Sequence, residues 1–400
     1  MSLTAAAGTR FTRPAMVGMC VSFVVIGVVQ AAYGPAIPAM RERYDISSAE
    51  VGLVVTLHFS GALLGVLGTG LVRARLRNRA FLALALGTMS AGCLGLAVAP
   101  RWWLALCAAL TAGVGFGWID VGVNELFLEF YGHAGTGMLN LLHGNFGVGA
   151  VLGPVLVGLL PGPLYRWAFV VSAALCLAVL FTTGGLSGRG MTGPPSHRAR
   201  FAAAWRLTVL FMVFFGLHVG VETGVAGWET SHLVHLGWAA APAAIATSGF
   251  WLAMTVVRFA VTPVARWFTA QQILIVSILV MLAGTGLAHW QPAAALGYVI
   301  AGVGVGPLFP TGLVWLAQKL PGVPATTSYV VAAAMLGGVV PGLIGAAVAR
   351  WGMGVIPTGL TIIGAATLAS ALVIRACRPL AEPASGEPPR KPGIWPLIDV

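Results

Sequence analysis

Only 11 of the 400 residues are Asp or Glu, and four of them, Asp120, Glu125, Glu222 and Glu229, stand inside long apolar runs. An ionisable side chain in hydrocarbon costs about 2.5–3.5 kcal/mol on insertion scales, so each is a candidate for function by default. Asn124 follows Asp120 by four residues, which on a helix places both on one face. His218 and Glu222 repeat that spacing, with Glu229 two turns further, so the three make one polar stripe. His218 either takes part in proton transfer or only satisfies Glu222. Asn140, His143 and Asn145 form a third polar group, in which His143 relays a proton or fixes Asn145. Gln30 and Tyr33 are neutral hydrogen-bonding groups in the first run, and His58 lies in the second. Trp118, Trp228 and Trp251 fall within runs, away from their ends; they either pack or stack on the C–H faces of a sugar. The chemistry these residues suit is proton binding beside recognition of a small polar solute. Asp120, Glu222, His143 and His218 are the proton-coupling candidates. Gln30, Tyr33, Trp118, Asn124, Asn140, Asn145, Trp228 and Trp251 are the substrate-binding candidates. For Asp120 the competing reading is a helix–helix hydrogen bond. Glu125 turns about 100° away from Asn124 and reads as a lesser candidate. Glu229, near a run end, reads as an interface residue. Arg258, the one base within a run, reads first as the partner of an acid or of helix-end carbonyls.

The elements that must carry these groups follow from composition. The chain is 58% hydrophobic and 8% charged, with mean hydropathy +0.91, whereas a globular chain carries roughly 25% charged residues. Its surface must face lipid, which excludes a soluble enzyme, a nucleic-acid-binding domain and a disordered chain. The runs are long and continuous rather than alternating, so helices cross the bilayer and a β-barrel does not. Twelve spans are predicted: 14–40, 49–72, 80–99, 103–127, 138–160, 167–186, 207–230, 239–264, 271–289, 293–318, 325–349 and 354–374. The first is too long for a signal peptide and lacks a clean cleavage site. Placing the N-terminus inside puts 16 of the 22 Lys and Arg residues on the cytoplasmic side and five outside. That asymmetry predicts a plasma-membrane protein with both termini cytoplasmic, and it explains the net charge of +11 without nucleic acid. Ten of the 13 Trp residues fall near span ends, as in an interfacial belt.

The basic, Gly/Pro-bearing segment 187–206 parts six spans from six. Ser60-Gly61 recurs as Ser248-Gly249, Gly113-Val-Gly-Phe-Gly117 as Gly302-Val-Gly-Val-Gly306, and Pro154 as Pro341, at offsets of 188, 189 and 187. Three matches on three corresponding spans point to duplicated halves. The expected organisation is therefore a bundle in 1–186, a cytoplasmic loop in 187–206, a second bundle in 207–375 and a tail in 376–400. The GxGxG runs follow no soluble strand and read as helix-packing surfaces rather than nucleotide fingers.

Catalytic and metal motifs are missing. Neither Lys319 nor Lys391 stands in a P-loop, and no GxSxG or HExxH occurs. His232 and His235 are three apart, but no third ligand is apparent. No enzyme activity, cofactor or metal is expected. Cys20, Cys93, Cys107, Cys176 and Cys377 have no framework spacing and read as small apolar fillers.

Twelve spans in two halves about a basic loop resemble the major facilitator superfamily. The segments Gly115-Phe-Gly-Trp-Ile-Asp120-Val-Gly-Val-Asn124, Leu139-Asn140-Leu-Leu-His143-Gly-Asn145-Phe-Gly147, Gly220-Val-Glu222 with Gly227-Trp228, Phe250-Trp251 leading to Arg258, and Gly306-Pro307-Leu-Phe-Pro310 are similar to its fucose–galactose–glucose/proton symporter branch. The resemblance covers residues 14–375. It implies an all-α membrane fold of two pseudo-symmetric six-helix bundles, with Asp120, Asn124 and Glu222 in a sugar and proton site and Arg258 at the family's helix-eight Arg. Two departures stand out. The loop after the second span, Gly70-Leu-Val-Arg73-Ala-Arg75-Leu-Arg77, keeps the family's bases and lacks its acid, which puts that loop's gating ion pair in doubt. The first span, at Gln30-Ala-Ala-Tyr33-Gly34-Pro35, has no carboxylate to couple protons.

The expected function is secondary active transport of a small polar solute of the sugar kind, coupled to protons, by a monomer embedded in the bilayer. A drug or metabolite efflux pump of the same fold is one alternative. A non-transporting sensor or scaffold is another, though the short termini leave no room for a signalling domain.

Overall fold

The computed structural model describes residues 3–4, 10–131, 135–160, 162–188, 198–321 and 325–380. Six helices form the first half: α1 (Arg13–Tyr44), α2 (Ser48–Arg75), α3 (Asn78–Val98), α4 (Trp102–Tyr131), α5 (Gly135–Leu159) and α6 (Arg166–Leu180). The second half holds α7 (Arg198–His235), α8 (Ala240–Val264), α9 (Ala270–Leu287), α10 (Ala294–Val305), α11 (Leu308–Lys319), α12 (Ala325–Ala334), α13 (Val340–Trp351) and α14 (Val355–Ala376). Among the described residues, twelve helical stretches are long and apolar enough to cross a membrane. The tenth crossing joins α10 to α11 across Gly306-Pro307. Proline there has no N–H to continue the ladder, and its ring crowds the preceding turn. The eleventh joins α12 to α13 through a 3₁₀ turn, Met335–Val339. The last two crossings part cleanly at Gly352, whose φ of 84° ends α13. Near the chain start, β1 (Leu3–Thr4), β2 (Arg10–Phe11) and β3 (Leu186–Ser187) form a small antiparallel sheet that ties the beginning of the chain to the end of the first half.

One boundary departs from expectation. The seventh helix begins at Arg198, inside the segment predicted as loop. The last Gly and Pro of that segment are Gly193, Pro194 and Pro195, and the following Arg-Ala-Arg-Phe-Ala-Ala-Ala-Trp-Arg contains no helix breaker.

Glycines at corresponding positions do corresponding work in both halves. A Cβ on Gly113 would strike the backbone carbonyl of His58 on α2, and one on Gly302 that of Phe250 on α8. Gly115 lies against the backbone of Met89 on α3, and Gly304 against that of Met281 on α9. Only the missing side chain lets these helices come so close. The halves meet through α1 with α7, α2 with α13, and α5 with α8. Exchanging the halves turns the second–eleventh crossing pair into the eighth–fifth pair, so the seam has the two-fold pattern expected of a duplication.

This seam is tight at the face away from the chain termini. Gly52 sits under the Pro341 carbonyl, Gly345 under that of Ser48, and Gly34 under that of Ala226. Trp228 Nε1 donates to Pro341 O at 2.8 Å, and Ser248 Oγ donates to Val151 O at 2.9 Å. Seven of the Trp residues placed near span ends are exposed, namely Trp103, Trp167, Trp205, Trp238, Trp267, Trp290 and Trp351, as an interfacial belt requires. Trp315 departs from that expectation: it is buried against Phe211 and Phe214. Trp395 lies outside the described residues. Cys93 and Cys176 are buried fillers, whereas Cys107 is exposed on the outer face of α4.

Candidate functional site

Toward the face that carries the termini, the halves separate around a cavity of ≈ 630 Å³. His143 and Gly144 of α5 line it from the first half; Thr255, Arg258 and Phe259 of α8 and Phe309 of α11 line it from the second. Arg258 is the hub. Its Nε donates to Gly306 O at 3.1 Å, a carbonyl whose partner one turn on would be Pro310, which has no N–H. Arg258 also stands close enough to act electrostatically on Glu222, His143 and His218. Of the two partners expected for Arg258, an acid or helix-end carbonyls, the direct bond is to a carbonyl, and among the described residues no ion pair joins it to an acid.

Glu222 is buried on α7 and receives Gln30 Nε2 across the seam at 3.5 Å. His218 does not complete a stripe with it. Its Nδ1 bonds to Phe214 O at 3.1 Å, its Nε2 is buried without a partner, and Phe214, Phe215 and Phe309 surround the ring. His143 is edge-on to Phe23 at 5.8 Å. Asn145 is partly exposed two residues further along α5. The side chain of Asn140 lies outside the described residues. Tyr33 OH and His58 Nδ1 lie 3.2 Å apart, and Gln30 and Tyr33 line a very small gap at the centre of the seam with Thr223 and Gly227.

In the first half, Asn124 Nδ2 donates to Asp120 Oδ1 at 3.1 Å, so the one-turn spacing does bring amide and acid together. Neither lines the cavity with Arg258 or the small gap with Gln30. The structure therefore joins Gln30, Glu222, Arg258, His143 and His218 into one neighbourhood and leaves Asp120 and Asn124 as a separate pair on α4. Beside that pair, Glu125 forms an ion pair with Arg73 at the end of α2. The loop after α2 lacks its own acid, yet its first base is held by an acid from the neighbouring helix.

The three tryptophans divide. Trp228 is buried and uses its N–H on Pro341 O, a structural bond. Trp251 is buried beside Phe146 and Phe250 with its Nε1 unpartnered. Trp118 is partly exposed, and its Nε1 also lacks a partner, as does Asn124 Oδ1. Buried polar atoms are ordinarily satisfied, so these are positions for a ligand or water to complete. Arg258, the one base within a run, lies within electrostatic reach of three ionisable groups.

A family profile described as Major Facilitator Superfamily matches residues 19–321. This chain belongs to the Major Facilitator Superfamily. It is therefore a multi-pass membrane protein of the secondary-transporter kind. It is 25% identical over 327 residues to the uncharacterized MFS-type transporter YcaD of Salmonella enteritidis PT4 (strain P125109), covering 78% of this chain and 82% of that one. Its fold is similar to that of a D-xylose-proton symporter, with a TM-score of 0.73 and 13% identity over 92% of this chain and 98% of that one. It is also similar to the MFS transporter FucP in its outward conformation, with a TM-score of 0.62 and 16% identity over 90% and 97% of the two chains.

Proposed function

We propose that this transporter moves a small polar solute of the sugar kind across the cytoplasmic membrane, coupled to protons, by alternating access. In this reading both termini are cytoplasmic, which the Lys and Arg asymmetry supports. The protein acts as a monomer. The two bundles, 1–186 and 207–375, rock about the α1–α7, α2–α13 and α5–α8 seam. The observation that carries the reading is that Trp251 Nε1 and His218 Nε2 are buried without partners among aromatic rings, with Trp118 Nε1 and Asn124 Oδ1 on α4 also unpartnered. Donors and acceptors without protein partners, beside rings, suit a solute with hydroxyls and C–H faces. Glu222 and Asp120 are the proton carriers, with Arg258 as the switchable partner of Glu222. While Glu222 is ionised, Arg258 compensates it. Protonation releases Arg258 to its carbonyl and histidine neighbours, which couples charge at the seam to its geometry.

A second reading has one observation in its favour. The cavity wall is mostly apolar, with Phe259, Phe268, Ile273 and Phe309 beside Arg258 and His143. That lining suits an amphipathic metabolite whose polar end meets the Arg. Purified protein in liposomes decides between them. Under an imposed inward proton gradient, accumulation of labelled hexoses without extrusion of amphipathic dyes supports the first reading. Dye extrusion without sugar uptake overturns it in favour of the second.

A further inference from the structure

An open pocket of ≈ 720 Å³ lies at the face that carries the termini, between the start of α9, the end of α11 and the end of α14. Two bases line it. Lys319 is buried, and its ammonium donates to the carbonyls of Arg375 and Cys377, which closes the last turn of α14. Those bonds use two of its three protons. Arg375 is exposed, and Gln271 of α9 and Gln318 of α11 add amide donors. Helix α9 starts here on a capping box of Thr269 and Gln272, so the positive end of its dipole lies at the pocket. No acid balances this set. Between Glu229 and Glu382 the chain has six Lys and Arg residues and no Asp or Glu. An unbalanced basic pocket at a membrane face attracts anions.

Deeper along the same helices the surface turns apolar. Ile275 and Val276 complete the α9 wall, and Leu279 lies one turn further on their side of the helix. On α14, Leu372 lies one turn below Arg375. Val276, Leu279 and Leu372 are exposed, so in a bilayer they meet hydrocarbon. A basic, amide-lined mouth above apolar helix faces matches the two parts of a phospholipid, its phosphate and its acyl chains. We propose that this pocket binds the headgroup of an anionic membrane phospholipid, with Arg375 and the remaining proton of Lys319 on the phosphate oxygens and the acyl chains along α9 and α14. Such a lipid bears on transport, because Thr269 and Gln318 line both this pocket and the inter-half cavity that holds Arg258. A phosphate held between α9, α11 and α14 fixes one wall of that cavity. The site depends neither on the solute's identity nor on proton coupling.

Thermal melts of the purified full-length protein in detergent test this without any solute, with dioleoyl phosphatidylglycerol, dioleoyl phosphatidylcholine or inorganic phosphate added. Phosphatidylglycerol should raise the melting temperature saturably, and the other two should not. No rise, or an equal rise with phosphatidylcholine, overturns the proposal; an equal rise with inorganic phosphate overturns the lipid as occupant. Arg375→Gln should weaken phosphatidylglycerol binding roughly fivefold, the worth of one base at an anionic lipid surface, and leave the lipid-free melt unchanged. Arg75→Gln removes an exposed base at the end of α2 that does not line the pocket, and should leave binding unchanged. Equal weakening by both variants overturns the pocket in favour of diffuse surface attraction. Lys319 is left in place because it also ties down the end of α14. Should Arg375→Gln fail to fold, Gln271→Leu, which removes an amide donor from the lining, decides: weaker binding supports the proposal and unchanged binding overturns it. Failure of sugar transport would leave these melts standing, so this inference and the functional reading fail separately.

Discussion

The two halves of this transporter share a scaffold and differ in their polar interiors. Gly113 and Gly302 meet corresponding backbones, as do Gly115 and Gly304, and the seam pairs α2 with α13 as it pairs α5 with α8. In the first half the partly buried Asp120 is bonded to a neighbour one turn away, Asn124. In the second half, Glu222 and Arg258 stand within electrostatic reach across helices, and Glu229 has no partner. The bases differ likewise. Arg73 pairs with Glu125, whose side chain is 48% exposed, whereas Arg258 faces the inter-half cavity. Packing is what the duplication kept, and charge placement is what it let diverge.

Substitutions sharpen this contrast. Arg258→Met should cost about 3 kcal/mol, because it leaves Glu222 with Gln30 alone and frees the Gly306 carbonyl, while Arg73→Met should cost about 1 kcal/mol, because Arg73 is buried but the Glu125 it leaves behind is half-exposed and stays solvated. Thermal melts of the purified variants in detergent check both, and equal losses would erase the distinction between the two bases. Gly115→Ala and Gly304→Ala should each cost about 1–3 kcal/mol by forcing apart close-packed backbones. The two values should agree, and a loss in one half alone would break the claim of a shared scaffold. Trp228→Phe should cost about 1 kcal/mol, the worth of its bond to Pro341 O, and should raise the reactivity of cysteines introduced at the α2–α13 seam. Gly87→Ala, where an added Cβ meets nothing within 4 Å, should stabilise α3 by about 0.5–1 kcal/mol, visible as a small rise in melting temperature.

Spans and duplication were legible because they are local signals. Hydropathy sets each crossing, and Gly spacing records each close approach. The break in the tenth crossing was signalled by Pro307. The early start of α7 was missed because basic residues read as loop, although no helix breaker follows Pro195. Residues one turn apart on a single helix, such as Asp120 and Asn124, were also legible. What a sequence does not carry is which side chains meet across helices. The reach of Arg258 to Glu222, His143 and His218, the bond of Trp228 to Pro341 O, and the isolation of Glu229 all depend on how crossings are rotated against one another. The stripe expected of His218, Glu222 and Glu229 shows the limit. Helical spacing put them on one side of α7, but their neighbours gave each a different environment.

The central proposal is that two intramembrane acids, Glu222 at the seam and Asp120 on α4, couple proton movement to solute movement. The direct measurement compares proton-driven accumulation with equilibrium exchange of the transported solute in liposomes containing wild type, Glu222→Gln or Asp120→Asn. Both variants keep the shape of the side chain and remove its titratable group. The account predicts that each retains exchange and loses accumulation, and accumulation at the wild-type level in both variants would contradict it.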